Sequence, residues 1–143
     1  MKFNGKSVVV TGGASGIGLA TCKAFADAGA DVIMTDVNAD AGGKAAAELA
    51  KAGSKVRFMA LDVTSRESAD ALAEKIKADV GRLDVLVNAA GWDIIQPFMD
   101  NTPEYWAKVV GLNFMGPIQV TRALLPLMFE SGSGRIVNVS SDA

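Results

Sequence analysis

The chain has 143 residues, half of them apolar, with 14 Lys and Arg against 16 Asp and Glu and no histidine. That size suits one ordinary domain with a sizeable core, and near-balanced charge without a block of one sign offers no docking face for nucleic acid or an anionic membrane. The lack of histidine excludes Ser-His-Asp and Cys-His catalysis within the chain and, with a single cysteine, leaves no credible zinc site, so no metal is expected.

The first predicted element is a strand in "SVVVTG", Ser7 to Gly12, followed by a glycine-rich turn and a helix through "LATCKAFADAG". Cys22 lies in that helix and reads as a small buried hydrophobe rather than a reactive thiol. A second strand is expected in "DVIMTD", Asp31 to Asp36. The alanine-rich helix after it, roughly Ala41 to Ala52, ends at Gly53, a natural residue for the left-handed position past a helix.

The third strand is expected in "KVRFMALDV", Lys55 to Val63. Thr64 and Glu67 then form a capping-box pattern, and Ala69, Leu72, Ala73, Ile76 and Val80 repeat along one helix face before Gly81 stops it. A fourth strand follows in "DVLVNAAG", Asp84 to Gly91. The next helix starts at Thr102-Pro103-Glu104, a cap with proline at the first helical position, and runs towards Phe129. Gly116 and Pro117 predict a kink or a division into two helices. The last strand is expected in "RIVNVSS", Arg135 to Ser141.

Nearly continuous apolar runs are those of strands buried on both faces. Alternating with helices, they predict one domain over residues 1 to 143, an α/β doubly wound parallel sheet. No apolar run approaches the roughly 18 residues needed to span a bilayer. The start "MKFNGKSVVVTGG" lacks the apolar region of a secretory signal. One cysteine allows no internal disulfide, and a cytoplasmic setting is expected.

The stretch "VVVTGGASGIGLA" places Thr11, Gly12, Ser15, Gly16, Ile17 and Gly18 between the first strand and the first helix. Glycines there let the backbone approach a pyrophosphate, and the N–H groups and dipole of the helix start favour its charge. Asp36 closes the second strand, where its carboxylate would accept both ribose hydroxyls of an adenosine and repel a 2′-phosphate. No Lys or Arg occupies Ala14, Ser15, Val37 or Asn38, so NAD is expected over NADP.

The spacing Thr11-Gly12-x-x-x-Gly16-x-Gly18, with "LDV" (Leu61 to Val63), "NAAG" (Asn88 to Gly91), "GLNFMG" around Asn113 and the closing "GRIVNVSS", resembles the short-chain dehydrogenase/reductase family over essentially the whole chain. The resemblance implies a single NAD-binding Rossmann domain over residues 1 to 143 with strand order 3-2-1-4-5. It implies that Asp36 and Val37 lie by the adenosine ribose, that Asp62 and Val63 border the adenine, and that Asn88, Ala89, Ala90 and Gly91 pass along the cofactor. It further implies that Asn113 belongs to the active site and that Ser141 is the catalytic serine, with Ser140 packing or capping. Ala89 departs from the family's usual second asparagine. The reaction implied is hydride transfer between nicotinamide and a secondary alcohol or ketone, with a donor stabilising charge on the substrate oxygen.

The family's proton donor sits in Tyr-x-x-x-Lys about a dozen residues past the serine, and no such pair follows Ser141 here. Tyr105 and Lys108 have the wrong spacing and are expected to be an ordinary helix face. The chain is therefore expected to be a C-terminally incomplete, inactive part of an enzyme that is a homotetramer at full length. "RIVNV" is expected to be an apolar unpaired edge that promotes self-association. In "GWDIIQPF", Trp92 is a candidate pocket wall and Asp93 a candidate polar contact. "GWD" and "SSDA" are similar to the branch oxidising alicyclic hydroxyacyl-CoA esters such as 2-hydroxycyclohexanecarboxyl-CoA, and more distantly to 3-oxoacyl carrier-protein reductases, so the partner expected is a small alcohol, ketone or acyl-CoA. A non-catalytic dinucleotide-binding module is the alternative. A hydrolase using Ser141 lacks a histidine base and a G-x-S-x-G elbow.

Overall fold

The computed structural model describes residues 2–141, so Asp142 and Ala143 of the "SSDA" ending lie outside the described residues. Five parallel strands, β1 (Ser7–Val10), β2 (Asp31–Asp36), β3 (Val56–Ala60), β4 (Val85–Asn88) and β5 (Arg135–Asn138), form one sheet in the order β3-β2-β1-β4-β5. The helices are α1 (Gly16–Asp27), α2 (Ala39–Lys51), α3 (Arg66–Asp79), α4 (Pro103–Val110) and α5 (Gly116–Ser131). This is the Rossmann-type order expected from the sequence.

Strand alternation divides the core into two layers. Val9, Ile33 and Leu86 point to one face, against Leu72 and Ile76 of α3 and Val120, Leu124 and Leu127 of α5. Val8, Val10, Val32, Met34, Val85 and Val87 point to the other, against Cys22 and Ala26 of α1 and Ala46 of α2. Burial of the Cys22 thiol pushes its pKa up to about 12, in keeping with an inert core residue. Both faces of β1 and β4 are buried, but β3 is only half-buried and β5 is exposed along its length. The apolar run of β3 had predicted burial on both faces, which its place at the sheet edge denies it, while β5 is the exposed edge expected for "RIVNV".

Two expectations shift locally. The cap of α3 is Ser65, whose hydroxyl accepts from Ser68 N, while Thr64 bonds to Asp62 instead of capping. The fourth predicted helix divides: α4 ends at Val110, a π turn spans Gly111–Met115, and α5 begins at Gly116. Pro117 has no N–H for the carbonyl four residues back and its ring crowds that carbonyl, so a widened turn before it relieves both defects. Gly53 takes the left-handed conformation predicted for it, with φ of 86°, and Gly81, expected only to stop the third helix, does so with φ of 78°.

Candidate functional site

The site begins where β1 runs into Thr11, a buried residue whose Oγ1 accepts from Ala89 N and Ala90 N, both at 3.0 Å. The end of β1 is thereby laced to the end of β4. Gly12 turns the chain with φ 64°, and a Cβ on it would lie 2.8 Å from Ala90 Cα. Gly18 packs on the Gly12 carbonyl so closely that any side chain would overlap it. Glycine is required at both positions, one for its conformation and one for the close approach of the helix.

Ser15 precedes α1 but makes no side-chain cap bond, and no acidic residue stands in the first turn. The orphan N–H groups and the positive end of the helix are thus left without a side-chain acceptor, an arrangement suited to a bound phosphate. Beside them, Asp36 Oδ2 accepts from Ala14 N at 3.1 Å and Oδ1 from Asn38 N at 2.9 Å. The carboxylate is therefore fixed against the glycine turn. Asp62 is fixed too, its Oδ1 accepting from Thr64 N and Thr64 Oγ1 at 2.9 and 2.6 Å.

A cleft of about 680 Å³ crosses the carboxyl ends of the strands and joins these parts. Its walls include Gly12, Ser15, Gly16, Ile17 and Gly18 from the first turn, Asp36 and Val37 after β2, and Asp62 and Val63 after β3. Ala89, Ala90 and Gly91 after β4 complete the sequence-derived set. Thr11, Asn88, Asn113 and Ser141 are not among its walls. Thr11 braces the floor. Asn88 is buried and turned into the seam between β4, β5 and α5, donating from Nδ2 to Thr121 Oγ1 and Asn138 Oδ1. Ser141 is exposed, three residues past β5.

Asn113 lies in the π turn, and its amide clamps the backbone of Trp92: Oδ1 accepts from Trp92 N and Nδ2 donates to Trp92 O, both at 2.9 Å. Tyr105 and Lys108 lie on α4, on the helix face expected for them, and that face packs on the loop after β4. The Tyr105 hydroxyl donates to Asp93 Oδ1 and Ile94 O, and its bond to Asp93, with burial and the Asp93 charge adding, raises its pKa. Lys108 Nζ lies 3.5 Å above the centre of the Trp92 ring, and both residues line the cleft. Leu61, Thr64, Lys108 and Leu112 are cleft residues that sequence reasoning missed. One signal was present: Tyr105, Lys108 and Leu112, spaced i, i+3, i+7, share one helix face.

The family model for short chain dehydrogenases matches residues 6–143. The chain belongs to the short-chain dehydrogenase family. It is 39% identical over 140 residues to cyclopentanol dehydrogenase of Comamonas sp. (strain NCIMB 9872), covering 98% of this chain and 56% of that one. It is 38% identical over 141 residues to the 3-oxoacyl-(acyl-carrier-protein) reductase FabG of Thermotoga maritima, covering 99% and 57%. Among solved structures, LigD of Sphingobium sp. strain SYK-6 superposes with a TM-score of 0.93 at 35% identity, covering 98% of this chain and 60% of that one. This short-chain dehydrogenase chain spans about half the length of the curated relatives it matches. Among the described residues, no helix is long and apolar enough to cross a membrane.

Proposed function

We propose that the chain is the NAD-binding part of an oxidoreductase that moves a hydride between nicotinamide and a secondary alcohol or ketone. The observation that carries this is the Asp36 carboxylate, fixed to the glycine turn through Ala14 N and facing the cleft beside an uncapped helix start. The first-turn N–H groups of α1 hold the pyrophosphate, with Gly12 and Gly18 admitting it. Asp36 accepts from the adenosine ribose hydroxyls and repels a 2′-phosphate. Asp62 and Val63 flank the adenine, and Ala89 to Gly91 form the opposite wall.

The cofactor supplies a hydride acceptor at its nicotinamide ring. Ser141 donates a hydrogen bond to the substrate oxygen, where charge changes most along the reaction. Asn113 acts through the Trp92 backbone, fixing the loop that borders the cleft. The one tyrosine of the chain, Tyr105, is held by Asp93 and Ile94. We expect these residues alone to bind nucleotide without turnover. The same observation favours a second reading, a dinucleotide-binding module without catalysis. Trp92 and Leu112 give the cleft an apolar wall suited to a small ring, so the substrate class we favour is a cyclic secondary alcohol or ketone, hydroxyacyl-CoA esters included.

A fluorescence titration with NADH and NADPH tests the nucleotide assignment. NADH is expected to saturate and NADPH to bind at least about tenfold more weakly, the worth of one charge-assisted contact. Asp36→Ala should erase that gap. Equal affinities for the two in the unaltered chain, or no binding of either, would refute the assignment of Asp36.

A further inference from the structure

The charged residues lining the cleft are Asp36, Asp62 and Lys108. Both carboxylates already accept hydrogen bonds, Asp36 from Ala14 N and Asn38 N and Asp62 from the N–H and hydroxyl of Thr64. Lys108 differs from them. Among the described residues it makes no ion pair, although Glu104 stands four residues before it on α4 in the favoured order for one. The Glu104 carboxyl instead turns to the helix start, where its own N–H and the Thr102 hydroxyl hold its pKa below the usual carboxylate range. The other nearby carboxylate, Asp93, accepts from Tyr105 Oη and Ile94 N. Lys108 is left with a ring face as its partner, which orients an ammonium without neutralising it.

The ring is held as firmly as the cation. Asn113 fixes the Trp92 backbone at both N and O, and Tyr105 packs beside the indole at 5.9 Å between centroids. The result is a flat apolar wall with an unneutralised positive charge over it, at the border of a cleft whose other charged groups are negative. One ammonium pairs with one anionic charge, and the two carboxylates elsewhere in the cleft disfavour a second.

We propose that Trp92 and Lys108 form a subsite for a ring-bearing carboxylate, so that the substrate is a monoanionic cyclic alcohol or ketone. This deepens the dehydrogenase reading and rests on it. Trp92 takes the ring against its indole and Lys108 takes the carboxylate, leaving the carbinol to face the nicotinamide.

The test uses the 143-residue chain carrying Trp106→Phe, so that Trp92 is the only tryptophan and its fluorescence reports the subsite. Cyclohexanecarboxylate and the neutral cyclohexanemethanol are titrated against the unliganded chain and again with NADH present. The acid should bind about fivefold more tightly than the alcohol. Lys108→Gln should abolish that preference, and Lys108→Arg should keep it. Equal affinity for acid and alcohol in the parent chain, or a preference that survives Lys108→Gln, would overturn the proposal. Loss of NADH binding in Lys108→Gln with the acid preference intact would assign the cation to the nucleotide, also overturning it. So would coenzyme A displacing the acid in a Lys108-dependent way, which would assign the cation to a phosphate. Discrimination of the acid by a chain that takes no NADH would uphold the subsite while refuting the nucleotide reading.

Discussion

Asp84, at 3% exposure before β4, bonds Lys6 Nζ through Oδ1, while Oδ2 accepts from Ser7 N and Ser7 Oγ. Burial raises its pKa, but the Lys6 and Ser7 hydrogen bonds and the Lys6 and Arg82 charges outweigh that and leave it below the ordinary value. A carboxyl depressed in the folded state adds stability above its unfolded pKa and loses it as pH falls through the folded one. Asp84→Ala also leaves the buried Ser7 N–H unsatisfied, and should cost about 1–3 kcal/mol at pH 7 in urea denaturation. The loss should shrink below about pH 4. At this scale the sequence was legible where a residue type is forced by covalent geometry: glycine at 12 and 18, an acid closing β2. Trp92 was legible as a candidate pocket wall, but its meeting with Lys108 was not, because that depends on how the loop after β4 folds back on α4, and no spacing rule reaches across that loop.

At the scale of elements, α2 rests on β3 through Gly42. A Cβ there would run into the Phe58 ring at Cε2 and Cδ2, while one at Gly43 meets nothing within 4 Å. Both glycines lie inside the helix, so alanine gains about 1 kcal/mol of helix propensity at either. Overpacking against a ring costs about 1–3 kcal/mol. Gly43→Ala should therefore raise the urea midpoint and Gly42→Ala lower it; a rise in both would contradict the packing described here. Strands and helices were placed well from sequence because periodicity and caps are local. The Ser65 cap, one residue from the expected Thr64, was missed because Thr64 is drawn to Asp62 by the turn after β3. The π turn was foreshadowed by Pro117, though its form was not, since a kink, a break and a widened turn all relieve a proline.

For the whole molecule, a doubly wound parallel sheet was legible in the alternation of elements with right-handed crossovers, but its order was legible only through the family resemblance, because other doubly wound sheets obey the same rule. β5 is the edge expected for "RIVNV", whereas the exposure of β3 was not legible, because an apolar run reads the same in a central strand and at a border. β5 pairs with β4 alone among the described residues, and Val137 and Phe129 near it are 48% and 72% exposed. No proline or lysine interrupts it. The 143-residue chain should self-associate with rising concentration, and Val137→Lys, a charge on that edge, should reduce the association seen by light scattering. A parent chain that stays monomeric across the range would contradict this.

Thr11 bonds to Ala89 and Ala90 across 78 and 79 residues of chain. A ribosome making this protein delivers the glycine turn and α1 early, yet the floor beneath them is missing until β4 and the two alanines have emerged. On the proposed reading, nucleotide capture waits for those residues, and a chain released before Ala90 would carry the motif without its floor.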